Sequence, residues 1–277
     1  MKTDIFHLQI IPLKDILPHE YFDESRSLTL AKRLKKDNFL SNPIIVAPLG
    51  NHTYAQLDGM NRLSTFKKLG FNSILCQIVD YQDMDNVELS SWLHFINVNS
   101  HQFLKHLGKI KDLIVNKGII DDVRNRYIQS EGFDKICTFV TEDFEVYLVT
   151  FGGSLLDKVK VLNEIVGFYN KDIVRSVLPQ SSTKEAIKNL FKEHLKHRQM
   201  VSFPTFTRHQ IMKIVKQHGF FPPGITRHVI KRRCLNVNLP FSVFNKNDSI
   251  GTQNRNLEQF LRQRKFRLYE EPTIYFE

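Results

Sequence analysis

The hydrophobic pattern of the first hundred residues alternates between strand and helix. Leu8 to Leu13 is strand-like, and Pro43 to Pro48 (Pro-Ile-Ile-Val-Ala-Pro) is too apolar for anything but a buried strand bounded by prolines. Between them, Leu28 to Lys36 mixes apolar and basic residues at helical spacing. Asn51-His52 marks a hairpin turn into a strand over Thr53 to Leu57. An Asp58-Gly59 turn then opens a helix with Leu63, Phe66 and Leu69 on its apolar face and Gly70 as its stop, and Ile74 to Val79 returns as a strand. The order β, α, β, β, α, β predicts a small mixed sheet with helices packed on it.

Beyond residue 80 the period changes. His101 to Asn116 and Leu155 to Tyr169 carry apolar residues three and four apart, Lys184 to Arg198 predicts a further helix, and Ile136 to Phe151 has the Thr, Val, Phe and Tyr content of a hairpin. Residues 81 to 200 are therefore expected to be mainly helical, with one strand-rich interruption. Thr207 to Gln210 is a capping-box pattern ahead of Ile211 to Gln217, and Gly219 to Gly224 (Gly-Phe-Phe-Pro-Pro-Gly) must be a loop. Leu235 to Phe244 is expected as strand, bordered by Pro240. Thr-Arg-His occurs at 207 to 209 and at 226 to 228, but the flanks differ and no repeat follows. The expected division is two domains, 1–100 and 101–277.

The composition of the 277 residues, 42% hydrophobic and 25% charged, is that of a globular protein and excludes a disordered chain. No apolar run has the length of a membrane span, and Met1 to His7 lacks the pattern of a signal peptide, so a cytoplasmic protein without a membrane partner is expected. Cys76, Cys137 and Cys234 are odd in number and widely spaced, which excludes a disulfide framework and a zinc knuckle. The net charge of +10 is uneven: residues 196–277 hold 15 Lys plus Arg against 5 Asp plus Glu, whereas residues 1–100 hold 10 against 11. Such a basic segment is a nucleic-acid footprint, a funnel for phosphate ligands or a solvated surface.

Candidate chemistry gathers at few places. The helix start after Gly59 offers free backbone N–H groups, a glycine that admits close approach, and the fork of Arg62 one turn in, all suited to phosphate. Asp58 leaves the strand end beside that helix start, where it either caps the helix or holds a magnesium ion. Glu20, on a loop after the first strand, is either a solvated carboxylate or a base for a hydroxyl nucleophile. Trp92, the single tryptophan, is core filler or a substrate platform. Thr226, Arg227 and His228 place a hydroxyl, a guanidinium and an imidazole side by side, with Lys231-Arg232-Arg233 following, and suit a carboxylate or a phosphate as well as a structural salt bridge. Neither the His194/His197 pair nor the His101/His106 pair has a third ligand at zinc spacing, and haem ligation by one of these or by a cysteine stays open. There is no Walker loop, no GxGxxG turn and no support for a Ser-His-Asp triad.

Taken together these residues resemble a family. Leu57-Asp58-Gly59-Met60-Asn61-Arg62 after a short hairpin, with Pro43-Ile44-Ile45-Val46 before it, is similar to the ParB/sulfiredoxin N-terminal domain. Within that superfamily, the order Glu20, Asp-Gly-x-x-Arg, Trp92 with His94, Pro-Pro-Gly-Ile-Thr-Arg-His, and Arg233-Cys234-Leu235-Asn236 resembles the free L-serine kinases, from about Leu8 to Pro240. The resemblance implies an α+β protein: a ParB/sulfiredoxin-like N-terminal domain, a mainly helical region, and a C-terminal segment that closes the cleft. It implies an enzyme that makes O-phospho-L-serine from free L-serine with ATP or ADP and magnesium, feeding siderophore or amino-acid biosynthesis. Glu20 would be the general base, assisted by Asp58, which would also position magnesium. Gly59, Met60, Asn61 and Arg62 with Ser64 and Thr65 would cradle the phosphates, and Trp92, Thr226, Arg227 and His228 would line the amino-acid pocket.

One departure stands out. The kinases usually carry one or two histidines in the Asp-Gly-x-x-Arg box, where this chain has Met60 and Asn61, and Asn61 hydrogen-bonds without carrying charge. The same positions also depart from the Gly-Glu-Arg-Arg of partition proteins. The alternative reading is a ParB-like DNA-binding transcriptional regulator that uses the basic C-terminal segment, with DNA also conceivable as a secondary partner of an enzyme that senses a metabolite or haem. No convincing helix-turn-helix supports it, and the sequence does not fix the oligomeric state.

Overall fold

The computed structural model describes residues 1–124, 126–179 and 183–269. They form a mixed α+β fold in two compact units, and neither unit is one continuous stretch: the first comprises Met1–Leu17, Phe22–Val87 and the chain from Ile230 onward, the second Pro18–Tyr21 and Glu88–Val229.

The first unit is built on a five-stranded sheet in the order Leu8–Pro12, Ser73–Ile78, Ile44–Gly50, Thr53–Asp58, Ile16–Pro18. Leu8–Pro12 runs antiparallel to Ser73–Ile78 with Leu8 opposite Gln77, and Ile44–Gly50 runs parallel to it with Ile44 opposite Cys76. The hairpin between Ile44–Gly50 and Thr53–Asp58 turns at Asn51 and His52, whose φ angles of 49° and 59° both lie in the left-handed region that such a tight turn needs. Helix Glu24–Asp37 is capped by Asp23 and stops at the left-handed Asn38, and helix Met60–Lys68 packs beside it. Leu34, Leu63 and Phe66 from the helices meet Ile10, Ile44, Val46, Ile74 and Leu75 from the sheet in one core.

The C-terminal residues complete this unit. Asn236 and Asn238 have φ near +50°, so the strand expected over Leu235 to Phe244 is broken there. Only Leu239–Pro240 pairs, with Phe39–Leu40, and Phe241–Phe244 is a 3-10 turn whose rings pack on Phe66 and Phe71. Helix Ile250–Arg262, started by the Ser249 cap, has no counterpart in the sequence reading. From it Asn254 accepts the Ile10 N–H and donates to the Ile10 carbonyl, both at 2.9 Å, and so closes the open edge of the sheet.

The second unit corrects the expectation of a mainly helical region. It holds a seven-stranded sheet in the order Ile173–Val177, Val87–Ile96, Gln199–Ser202, Asp134–Thr141, Val146–Phe151, Leu113–Lys117, with Thr226–Ile230 also paired to Val87–Ile96. The hairpin at 134–151 and the helices Leu155–Gly167 and Arg208–Lys216 stand where they are predicted, and Thr207 with Gln210 forms the capping box. The helix expected over His101 to Asn116 ends at Leu107, before Gly108, and its second half pairs as strand Leu113–Lys117. The helix expected over Lys184 to Arg198 ends at Glu193, and Gln199–Ser202 becomes a central strand. Val87–Ile96 was concealed by polar residues that are buried as hydrogen-bonded groups: Ser91 Oγ donates to the Pro204 carbonyl at 2.7 Å, and His94 is bonded through both ring nitrogens. No helix among the described residues is long and apolar enough to cross a membrane.

Candidate active site

Each unit carries one group of chemically active side chains. In the first, strand Thr53–Asp58 delivers Asp58 to the start of helix Met60–Lys68 through Gly59, whose φ is 89°. A Cβ there would lie 2.7 Å from Ile44 Cγ2 and 3.0 Å from Arg62 Nε, so only glycine fits the turn. The Leu63 amide makes the first helical bond to the Gly59 carbonyl at 3.1 Å. The amides before it have no acceptor within the helix, a favourable setting for an anion.

The side chains of this turn divide into those that build it and those that face outward. Arg62 donates Nη1 to the carbonyls of Asn42 (3.1 Å) and Pro43 (2.5 Å) and Nη2 to Asp58 Oδ2 (3.1 Å). Burial pulls its pKa down to about 10, which still leaves it a cation at neutral pH. Arg233 brings a second guanidinium to the same Asp58 oxygen. Asn61 Oδ1 accepts the Asp23 N–H at 3.0 Å, which ties the starts of the two helices together, and Met60 is half-buried. Ser64 and Thr65 are bonded to the neighbouring helix: Ser27 Oγ donates to Ser64 Oγ at 3.3 Å, and Thr65 Oγ1 donates to the Ser27 carbonyl at 3.0 Å. Their hydroxyls stitch helix to helix. As for magnesium, Asp58 is already held by two guanidiniums, and among the described residues no three His, Cys, Asp or Glu side chains converge.

In the second unit, residues 19 to 21 run beside Phe221, with Tyr21 N–H donating to the Phe221 carbonyl (3.1 Å) and Phe221 N–H to the His19 carbonyl (2.7 Å). This lays Glu20 along the Pro-Pro-Gly loop. Its Oε2 accepts the Gly224 N–H at 3.0 Å, and its Oε1 accepts the Thr226 N–H at 3.1 Å and the Thr226 hydroxyl at 2.5 Å. His19 Nε2 stands 2.7 Å from Thr226 Oγ1 and 3.5 Å from Glu20 Oε1. Because the Thr226 proton is directed at the carboxylate, Nε2 of His19 is the donor to Oγ1. Burial pushes the Glu20 carboxyl upward, but the charge of His19 and the hydrogen bonds from His19, Thr226 and Gly224 outweigh it and hold the pKa at about 2. His228 meets His19 edge to face at 5.2 Å, and burial, with the charge of His19, lowers its pKa to about 3.

His94 grips the same loop from its other side. It is fully buried, with Nε2 2.7 Å from the Gly224 carbonyl and Nδ1 3.2 Å from the Tyr169 hydroxyl. A carbonyl only accepts, so Nε2 carries the proton and Nδ1 accepts from Tyr169. Burial drives the His94 pKa down to about 4, which keeps the ring neutral. Gly224 is thus fixed at its N–H by Glu20 and at its carbonyl by His94.

The expected four-residue pocket falls into two sets. Along strand Thr226–Ile230 successive side chains face opposite ways, so Thr226 and His228 join Glu20 and His19 while Arg227 points to the other face. There its guanidinium lies 5.1 Å from the Trp92 ring centre and Nη1 donates to Ser90 Oγ at 3.3 Å. Sequence reasoning assigned no role to His19, His94, Tyr169, Ser27 or Gln77. The adjacency of His19 to Glu20, and the place of His94 two residues after Trp92 on the same strand face, were the available signals.

No family model matches the chain. It is similar to an ATP-dependent L-serine kinase of Staphylothermus marinus, 24% identical over 223 residues that cover 80% of this chain and 84% of that protein. It is also similar to the ATP-dependent L-serine kinase SbnI of Staphylococcus aureus, 22% identical over 281 residues covering 98% and 97%. Among solved structures, C-terminally truncated SbnI superposes with a TM-score of 0.70 at 21% identity over 93% of this chain and 96% of that one. A mutant free serine kinase in complex with AMP gives 0.68 at 18% identity over 88% and 96%. The fold is that of the free serine kinases. The resemblance carried by the motifs extends over most of the chain, and the relatives it points to are phosphotransferases with an alcohol acceptor.

Proposed function

We propose that the protein is a kinase that transfers a phosphoryl group from ATP or ADP to the hydroxyl of free L-serine, giving O-phospho-L-serine. The observation that carries this reading is the carboxylate of Glu20 with a hydroxyl proton already directed at it: Thr226 Oγ1 lies 2.5 Å from Oε1. A substrate hydroxyl in that position has its proton acceptor in place and needs only a phosphoryl donor in line. Similarity to ATP-dependent L-serine kinases along most of the chain supports serine as the acceptor and a nucleotide as the donor.

In this reading Glu20 takes the proton, and displacement of the Thr226 hydroxyl by the incoming serine hydroxyl removes one of the bonds that keep the carboxylate weakly basic. The amides after Gly59 receive the phosphates, with magnesium arriving as part of the nucleotide. Ser64 and Thr65 contribute packing and Asn61 holds the helix starts together. Most of the rate comes from positioning and charge neutralisation.

The test is to incubate the purified protein with L-serine, magnesium and either ATP or ADP, and to follow the reaction by phosphorus NMR. A phosphoserine resonance that requires both L-serine and nucleotide is the expected result. Folded protein that makes no phosphoserine with either nucleotide, and that binds DNA with a steep salt dependence, transfers the weight to the regulator reading.

A further inference from the structure

The two arginines beside Asp58 differ in what holds them. Arg62 is committed to the backbone through the Asn42 and Pro43 carbonyls, and its side chain is 19% exposed. Removing it from these carbonyls would unbuild the turn. Arg233 has the opposite arrangement. Its side chain is 36% exposed and its guanidinium rests on Asp58, while its main chain is pinned on both sides by the buried Gln77. Gln77 donates Nε2 to the Arg232 carbonyl at 2.6 Å and accepts the Cys234 N–H on Oε1 at 2.8 Å. Two residues further on, the Asn236 N–H donates to Asn42 Oδ1 at 2.8 Å, on the same residue whose carbonyl holds Arg62. The segment 232–236 is therefore docked against the phosphate turn by its backbone, with one guanidinium aimed at the turn and left to a side-chain partner.

Asp58 has one more cation than it needs. If Arg233 leaves, Arg62 still pairs with Asp58 at 3.1 Å, so no uncompensated carboxylate remains. We propose that Arg233 is a phosphate ligand for the nucleotide, exchanging the Asp58 carboxylate for a phosphate oxygen, with Asp58 holding it in the empty site and Gln77 acting as its positioning residue. This rests on the kinase reading. A planar guanidinium binds carboxylate and phosphate through the same fork, so the exchange replaces one charge-assisted bond with another.

Isothermal titration of the full chain with ADP, without metal, tests this. Arg233→Gln is expected to weaken ADP binding about tenfold or more, the loss of a hydrogen-bonded charge, and to flatten the dependence of affinity on salt. Arg233→Lys, which keeps a cation for Asp58, is expected to fall between the two and stands in should the glutamine variant prove unstable. Asp58→Asn is expected to retain or tighten ADP binding, because it removes the competing anion. ADP binding unchanged in both Arg233 variants, or lost as severely in Asp58→Asn as in Arg233→Gln, overturns the proposal. Wild-type protein that is folded and binds no ADP overturns the kinase reading along with it.

Discussion

The phosphate turn and the Glu20 loop both manage a carboxylate, and they do so in opposite ways. Asp58 is balanced by full charges, the guanidiniums of Arg62 and Arg233, at a half-exposed position where ions exchange readily. Glu20 is largely but not fully buried and held mainly by dipoles and a histidine: two backbone N–H groups, a hydroxyl and His19. Full charges in a partly open site suit binding and release of an anionic ligand. Oriented dipoles fix the direction of a proton acceptor before the substrate arrives. In the proposed kinase the first place serves affinity and the second chemistry.

The contrast can be broken or sharpened by substitutions, beginning with the largest effect. His94 is neutral in the folded protein with its pKa lowered to about 4, against 6.5 for the ordinary group. As pH falls from 6.5 toward 4, the unfolded chain takes up a proton that the folded chain does not, so stability drops across that window, by about 3 kcal/mol for this one group. Denaturant unfolding between pH 4 and 7 should show that slope in the wild type and a flatter one in His94→Phe. Equal slopes would mean that the ring is not buried and neutral. Gly59→Ala is expected to cost about 2 kcal/mol, from a positive φ and a Cβ pressed on Ile44. Chemical denaturation measures it, and an unchanged midpoint would remove the steric argument for the turn. Thr65→Val should cost about 1 kcal/mol through the lost bond to Ser27 while leaving ADP affinity within twofold. A large loss of ADP affinity would return Thr65 to the phosphate site.

The same contrast explains what the sequence revealed. The phosphate turn is local: Asp58, Gly59, Arg62 and the apolar face of the helix lie within a dozen residues, and each follows from turn geometry or helical spacing. Even there, the partners of Ser64 and Thr65 were hidden, because Ser27 belongs to another helix. The Glu20 loop is not local, since its carboxylate is bonded to a residue 206 positions away. No spacing rule joins Glu20 to Thr226 or His94 to Gly224, and only the family resemblance set Glu20 and Thr226 side by side in one expected site. The second sheet was missed for a related reason. Its central strands are short or carry buried, hydrogen-bonded polar residues such as Ser91 and His94, which erase the alternation that marks a half-exposed strand.

Steady-state kinetics of L-serine phosphorylation by the wild type and by Glu20→Ala, with ADP affinity measured on both proteins, test the division between chemistry and binding most directly. The account predicts that kcat falls by about 10²–10⁴-fold in the variant, the usual worth of a general base, while ADP affinity is retained. A folded Glu20→Ala protein that phosphorylates serine within a few-fold of the wild-type rate would contradict it.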